Sequence, residues 1–280
     1  MKVTLSDILE ETVSALEKGS LRQPLSDAEY IVTEALSISR LELHADKFRP
    51  LSPETVENIR RNTARRLAGE PLQYIYGRAF FRELTLNVGP GVLIPRPETE
   101  ILAGMIVEMA PANPEICDVG TGSGAITLSA AYERKDARVT GIDISPEALK
   151  YAEANRRRYG LENARFIQGN LLDAVSGVKF HVIAANLPYV SEDELKALPE
   201  EVGKFEPELA LAGGYDGLDL IARLIEQVSE FLFENGLLML ELGINQAEKV
   251  RKILSEAKFN EIQIKKDFNG IERFIVARHI

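Results

Sequence analysis

The chain has 280 residues, 45% hydrophobic and 27% charged, the composition of a globular protein with room for two domains. Its formal charge of −10 argues against a constitutive nucleic-acid binder, which would carry a basic surface, so no stable nucleic-acid binding is expected. Cys117 is the only cysteine, which excludes an internal disulfide, and there is neither a signal-type apolar core nor a run of ~20 apolar residues. The expectation is a cytoplasmic protein with no membrane association.

Residues 1–70 read as helices only. Leu5, Ile8, Leu9, Val13 and Leu16 make one apolar face that Gly19 stops. Ser26 and Glu29 have the spacing of a capping box ahead of Ile31, Val32, Ala35 and Leu36. A short helix is expected over 41–45. Ser52-Pro53 opens another, lined by Val56, Ile59 and Leu67 and ended by Gly69. This predicts a small helical bundle over 1–76. Residues 77–97 then change character, with short strands at 79–81 and 84–88, a turn at Gly89-Pro90-Gly91 and an extended stretch at 92–97. They are expected to connect the bundle to a second domain over 98–280, whose first helix begins near Glu98.

From residue 116 strands and helices alternate. Strands are expected at 116–119, 138–142, 165–168, 180–185 and 237–241, and helices at 125–132, 146–158, 218–233 and 246–257. The closing pair, 262–266 and 273–277, has no helix between its strands and must be antiparallel. The pattern predicts an α/β fold with a largely parallel sheet covered on both faces.

Two strand ends carry chemistry. Gly120-Thr121-Gly122-Ser123-Gly124 follows the first strand of the alternating region, where glycine allows positive φ and close approach of a ligand to the backbone. About twenty residues on, Asp143 ends the next strand, placed for a ribose hydroxyl pair. Alone, such a loop is as often a tight turn. With the acid it points to an adenosine-containing ligand, without separating NAD from S-adenosylmethionine. After the following strand, Asn170 offers a hydrogen bond to an adenine edge and Leu171 an apolar face, although an ordinary loop reads equally well.

The second end is Asn186-Leu187-Pro188-Tyr189, after the apolar run 180–185. Asn186 brings a side-chain oxygen and Leu187 a backbone carbonyl, which Pro188 biases toward an extended conformation. Tyr189 brings a ring for a planar group. A polar turn leaving a strand is the plainer alternative. Two oriented acceptors and a ring suit a flat –NH2, whose developing positive charge they would stabilise during attack on a methyl group. A glutamate carboxylate, having no N–H, would be refused. No histidine is placed as a general base, and no metal-ligating set is assigned. Arg60, Arg61, Arg65 and Arg66, and likewise 156–158, read as solvated basic faces, the first being the better candidate for a partner surface. Cys117 reads as a core residue. Arg96, Glu98 and Glu100 either brace the site or form structural ion pairs, and Glu206-Pro207 is expected to shape a loop over the pocket.

Beyond these residues, the chain resembles the release factor glutamine methyltransferases (the HemK/PrmC family). The resemblance runs through Gly69-Glu70-Pro71-Leu72-Gln73-Tyr74-Ile75-Tyr76-Gly77, Val92-Leu93-Ile94-Pro95-Arg96-Pro97-Glu98-Thr99-Glu100, Asp118–Ile126, Asp143-Ile144-Ser145, Phe205-Glu206-Pro207 and Gly213–Leu218. It implies a class I S-adenosylmethionine-dependent methyltransferase fold, a Rossmann-like seven-stranded sheet with an antiparallel last strand, plus an N-terminal helical bundle for release-factor recognition. The implied reaction is N5-methylation of the glutamine in the Gly-Gly-Gln motif of bacterial class I peptide chain release factors, with S-adenosylhomocysteine as product. The glycine loop, Asp143 and Leu171 would hold the donor. Asn186–Tyr189 would grip the glutamine, with Asn186 also near the donor. The family usually has Asn-Pro-Pro-Tyr, so Leu187 is a departure. The Asn-Leu-Pro-Tyr form of ribosomal RNA adenine dimethyltransferases keeps N6-adenine methylation open, beside glutamine methylation of a ribosomal protein. The proline-rich connector and helical domain favour release factors. NAD-dependent oxidoreduction leaves Asn186–Tyr189 unexplained, and a non-enzymatic binding module leaves the glycine loop, Asp143 and Asn186 unexplained together.

Overall fold

The computed structural model describes residues 3–280, which cluster into two units. One unit runs as far as Gly77 and takes in Glu200–Phe205. The other comprises Arg78–Pro199 and Glu206–Ile280.

The first unit holds helices α1 (Leu5–Lys18), α2 (Pro24–Leu36), α3 (Arg40–Ala45), α4 (Pro53–Leu67) and α5 (Leu72–Tyr76). Its core is small, with Leu5, Ile8, Leu16, Ile31, Val32 and Ile59 buried together. Each fully buried aliphatic side chain contributes about 1.5–3 kcal/mol. Ser52 caps α4 through the amide of Thr55, with Pro53 in its first turn. The capping box expected at Ser26 and Glu29 is not formed. Pro24 starts α2 earlier, which leaves Ser26 inside the helix. Glu29 is instead buried and meets Arg40 and His44 at 2.5 and 2.8 Å. Helix α5 is too short to show a period in sequence. The arginines of α4 are engaged with neighbours of the same unit: Arg60 with Glu11, Arg61 with Asn58, Arg65 with Glu70, and Arg66 with Asp27 and Glu201.

The second unit opens with a two-stranded antiparallel sheet, β1 (Arg78–Phe81) and β2 (Leu84–Asn87), and helix α6 (Thr99–Met109). Then follow β3 (Glu115–Val119), α7 (Ala125–Glu133), β4 (Arg138–Asp143), α8 (Pro146–Tyr159), β5 (Ala164–Gln168) and β6 (Phe180–Ala185). The chain continues through α9 (Glu192–Leu195), α10 (Glu200–Phe205, the segment that clusters with the helical unit), α11 (Asp219–Val228), β7 (Leu232–Glu241), α12 (Ala247–Glu256), β8 (Asn260–Lys266) and β9 (Glu272–Arg278). The seven strands of the main sheet run β5-β4-β3-β6-β7-β9-β8. All pairings are parallel except those of β9, which is antiparallel to both neighbours.

Strand side chains alternate between two cores. Cys117, Ile183 and Leu238 face Ile221 and Leu224 of α11 and Val250 of α12, whereas Ile116, Val182 and Met239 face Leu102 of α6 and Leu128 of α7. Cys117 is fully buried, and burial pushes its thiol well up, so it is a core residue. The helix expected over 218–233 stops at Val228. The amide of Phe180 donates to the carbonyl of Phe231, so Leu232 and Phe233 already run beside β6. A run of apolar residues reads alike as helix end or strand start until its neighbour is known. Among the described residues no helix is long and apolar enough to cross a membrane.

Candidate active site

Strand order creates the site. Between β3 and β6 the direction of winding reverses, the position where open α/β sheets leave a crevice. Val119 pairs with Ala185 and with Ile142, so Gly120, Asn186 and Asp143 leave three adjacent strands at the same end. A cavity of about 270 Å³ opens there, lined among others by Gly120–Ser123, Asp143, Asn170, Leu171, Asn186, Leu187 and Pro188.

The glycine loop is bent by its own hydrogen bonds. The amides of Gly120 and Thr121 both donate to the Ile142 carbonyl, at 2.8 and 2.9 Å, and Gly120, Gly122 and Gly124 all have positive φ. Gly120 also needs its missing side chain, since a Cβ would stand 3.0 Å from Leu187 Cδ2. Asp143 Oδ2 accepts from the Gly122 amide (2.8 Å) and Oδ1 from the Ser145 amide (2.9 Å), and the carboxylate keeps acceptor capacity for a ligand. Burial pushes the Asp143 carboxyl up, against the pull of these amides. Asn155, fully buried in α8, ties the loop to the hairpin by donating to the carbonyls of Ser123 and Asn87.

At the end of β6, Asn186 Nδ2 donates to Thr99 Oγ1 (3.0 Å), and Thr99 Oγ1 donates to Glu241 Oε2 (2.7 Å). Among the described residues no protein group donates to Asn186 Oδ1 or to the Leu187 carbonyl. The Leu187 side chain packs into the core instead of entering the cavity freely. Tyr189 is not among the cavity-lining residues. Its ring lies toward Gly243 and its carbonyl accepts from Gln246 Nε2 at 3.0 Å. Burial pushes its phenol up to about 12, so it stays protonated at neutral pH. The histidines lie elsewhere: His44 pairs with Glu29, His181 Nδ1 accepts from the Glu115 amide, and the His279 ring lies tilted beside Phe259.

Some residues of the candidate site are not singled out by the sequence. Thr99 and Glu241 are the main ones. The signal for Glu241 was an acid closing a buried strand at the ligand end of the sheet. Ile144, half exposed beside Asp143, faces the same cavity as Leu171, whose φ of +54 is rare for a branched side chain. Arg96 lines the cavity and pairs with buried Glu206 at 2.6 Å, while the Ile94 amide donates to the other Glu206 oxygen. Pro207 and Leu209 therefore edge the cavity from a loop anchored to the 92–97 stretch. Glu100 accepts from the Arg82 amide, bracing the hairpin, and Glu98 does not line the cavity.

Known proteins match the whole chain. The methyltransferase-domain family matches residues 112–271, and the PrmC N-terminal domain matches residues 7–77. A release factor glutamine methyltransferase from Fusobacterium nucleatum is 37% identical, covering 97% of this chain and 78% of its own length. Another from Koribacter versatilis is 37% identical over 99% of both proteins. The chain belongs to the release factor glutamine methyltransferase family. Its fold is that of class I methyltransferases. A methyltransferase from Pyrococcus furiosus covers 79% of this chain and 99% of its own, at a TM-score of 0.54 and 18% identity. A ribosomal protein L11 methylase from Lactobacillus delbrueckii covers 70% and 86%, at a TM-score of 0.51 and 24% identity. Both neighbours share the family's methyltransferase fold.

Proposed function

We propose that the protein transfers the methyl group of S-adenosylmethionine to the N5 amide nitrogen of the glutamine in the Gly-Gly-Gln motif of bacterial class I peptide chain release factors. The observation that carries this reading is Asn186. Its amide nitrogen is occupied by Thr99, which leaves its oxygen, beside the glycine loop, for a substrate N–H. Relatives named release factor glutamine methyltransferase, matched over 97% and 99% of this chain, support the substrate class.

The cavity suits the donor. Ser123 lines it, and Ser123 Oγ is buried without a hydrogen-bond partner among the described residues, a place for a polar ligand atom. Ile144 and Leu171 provide apolar surface for an adenine, with Asn170 at its edge, and Asp143 accepts from ribose hydroxyls. Bound there, S-adenosylmethionine would supply an electrophilic methyl carbon on a sulfonium that leaves as a neutral thioether, and the glutamine nitrogen would lose its extra proton to solvent. Asn186 Oδ1 and the Leu187 carbonyl accept the two N–H bonds of the glutamine, orient its lone pair and stabilise the charge that grows on nitrogen. The helical unit, which matches the PrmC N-terminal domain, is assigned to release-factor recognition.

The deciding experiment offers methyl-labelled S-adenosylmethionine to a recombinant release factor and to its Gln→Ala variant at the motif. Label should enter only the first. Equal labelling of both, or labelling of RNA or DNA with none in protein, would overturn the reading. Asp143→Ala should weaken S-adenosylhomocysteine binding ~10–100-fold, the loss of hydrogen bonds to a charged group. Calorimetry that finds unchanged affinity would remove Asp143 from the donor site.

A further inference from the structure

The geometry points to Thr99 and Glu241 as a positioning relay that sets which end of the Asn186 carboxamide faces the substrate, and so selects glutamine over glutamate. This rests on the function proposed above.

The direction of these bonds follows from the protons available. Ionised Glu241 can only accept. Thr99 has one hydroxyl proton, and it goes to Glu241 Oε2 at 2.7 Å. The Thr99 oxygen must then accept from Asn186, and the –NH2 is the only part of that carboxamide able to donate; the contact is 3.0 Å. The carboxamide oxygen is thereby turned toward the cavity that Thr99 and Asn186 both line. Without the relay, the amide could rotate and present N–H donors, which would welcome a carboxylate. Thr99 and Glu241 are 5% and 2% exposed, so water does not compete with the two bonds.

The three residues come from distant parts of the chain: the first turn of α6, the end of β6 and the end of β7. Burial pushes the Glu241 carboxyl up to about 7, while Thr99, Arg273 on β9 and Arg96 in the 92–97 stretch pull it down; Glu98 pushes it up, and the protonated Tyr189 phenol lies close by. Protonated Glu241 is free to donate to Thr99, whose own proton is then free to turn toward Asn186 Oδ1. The relay therefore holds its direction above about pH 7 and loses it as pH falls through that value.

The test compares wild type with Thr99→Val, which keeps the shape and removes the hydroxyl, and with Thr99→Ser, which restores it. Wild-type label transfer to the release factor is the reference; its absence would count against the proposed function and not against the relay. With wild type active, Thr99→Val should lower kcat ~10-fold or more and leave S-adenosylhomocysteine affinity within about 2-fold. Binding of the release factor and of its motif Gln→Glu variant, measured with S-adenosylhomocysteine present, should favour glutamine in wild type and Thr99→Ser. That preference should collapse in Thr99→Val. A preference that survives in Thr99→Val, with or without loss of kcat, would overturn the proposal, because a merely structural threonine would not set it. The acid limb of the wild-type kcat profile should shift or vanish in Glu241→Gln, and an unaltered limb would remove Glu241 from the relay.

Discussion

Asn186→Ala is expected to lower kcat by ~10²–10³ while S-adenosylhomocysteine binds almost as tightly as before. The magnitude is that of removing one preoriented polar group from a site where charge develops. An amide nitrogen is a poor nucleophile, because its lone pair is delocalised into the carbonyl. In the proposed reaction the two acceptors at the end of β6 matter most when positive charge grows on that nitrogen, so their loss is expected to fall on kcat more than on binding. The proposed donor side is built from other elements, the β3–α7 loop and the end of β4, where Asp143 braces Gly122. Single-turnover methyl transfer, with calorimetry for the product, separates the two quantities. Turnover within a few-fold of wild type would take Asn186 out of the mechanism.

Gly217→Ala should reduce both stability and activity, although residue 217 does not line the cavity. Its φ is +79, and an added Cβ would stand 2.1 Å from the Tyr189 carbonyl oxygen and 2.6 Å from Gln246 Nε2. The first is backbone and cannot rotate away. The second makes the 3.0 Å hydrogen bond that ties Tyr189 to the β7–α12 loop. Backbone strain plus overpacking costs about 2–4 kcal/mol. Relief requires Tyr189 to move, and Asn186 lies in the same short segment, where a displacement of about 1 Å costs roughly 10²-fold in rate. Gly160→Ala is the control. It has φ +60 but open space around it, so only strain of about 1–2 kcal/mol is expected, with kcat kept. Thermal unfolding and kcat measured side by side decide it. Equal losses in the two variants would mean that the Tyr189 contact is not what matters.

Much of the fold is legible in the residues. The alternation from 116 onward predicts the parallel sheet, and the unbridged final pair predicts its antiparallel strand, because the backbone offers no other way to join neighbouring strands in so few residues. Ser52-Pro53 marks α4 correctly through capping chemistry, which is local. The failures lie where local signals compete or fall silent. Ser26 and Glu29 have capping-box spacing, yet Pro24 nucleates α2 first, and Glu29 is drawn to Arg40 and His44 across a turn. The start of β7 at Leu232 depends on β6, its pairing partner, which no window of sequence contains.

The groups gathered at each strand end are readable from residue type: glycines and Asp143 on one side, an amide and a carbonyl that precedes a proline on the other. Those depend on residue type, on backbone freedom and on position after an apolar run. Which ends meet, and which way the amide faces, emerges only when the strands pair. The β3–β6 pairing sets the two loops side by side, and the Asn186 orientation is imposed by residues 87 and 55 positions away in sequence, Thr99 and Glu241. A carboxamide has two ends of nearly equal shape. Its direction is set by its hydrogen-bond partners, and these meet only once the sheet is assembled.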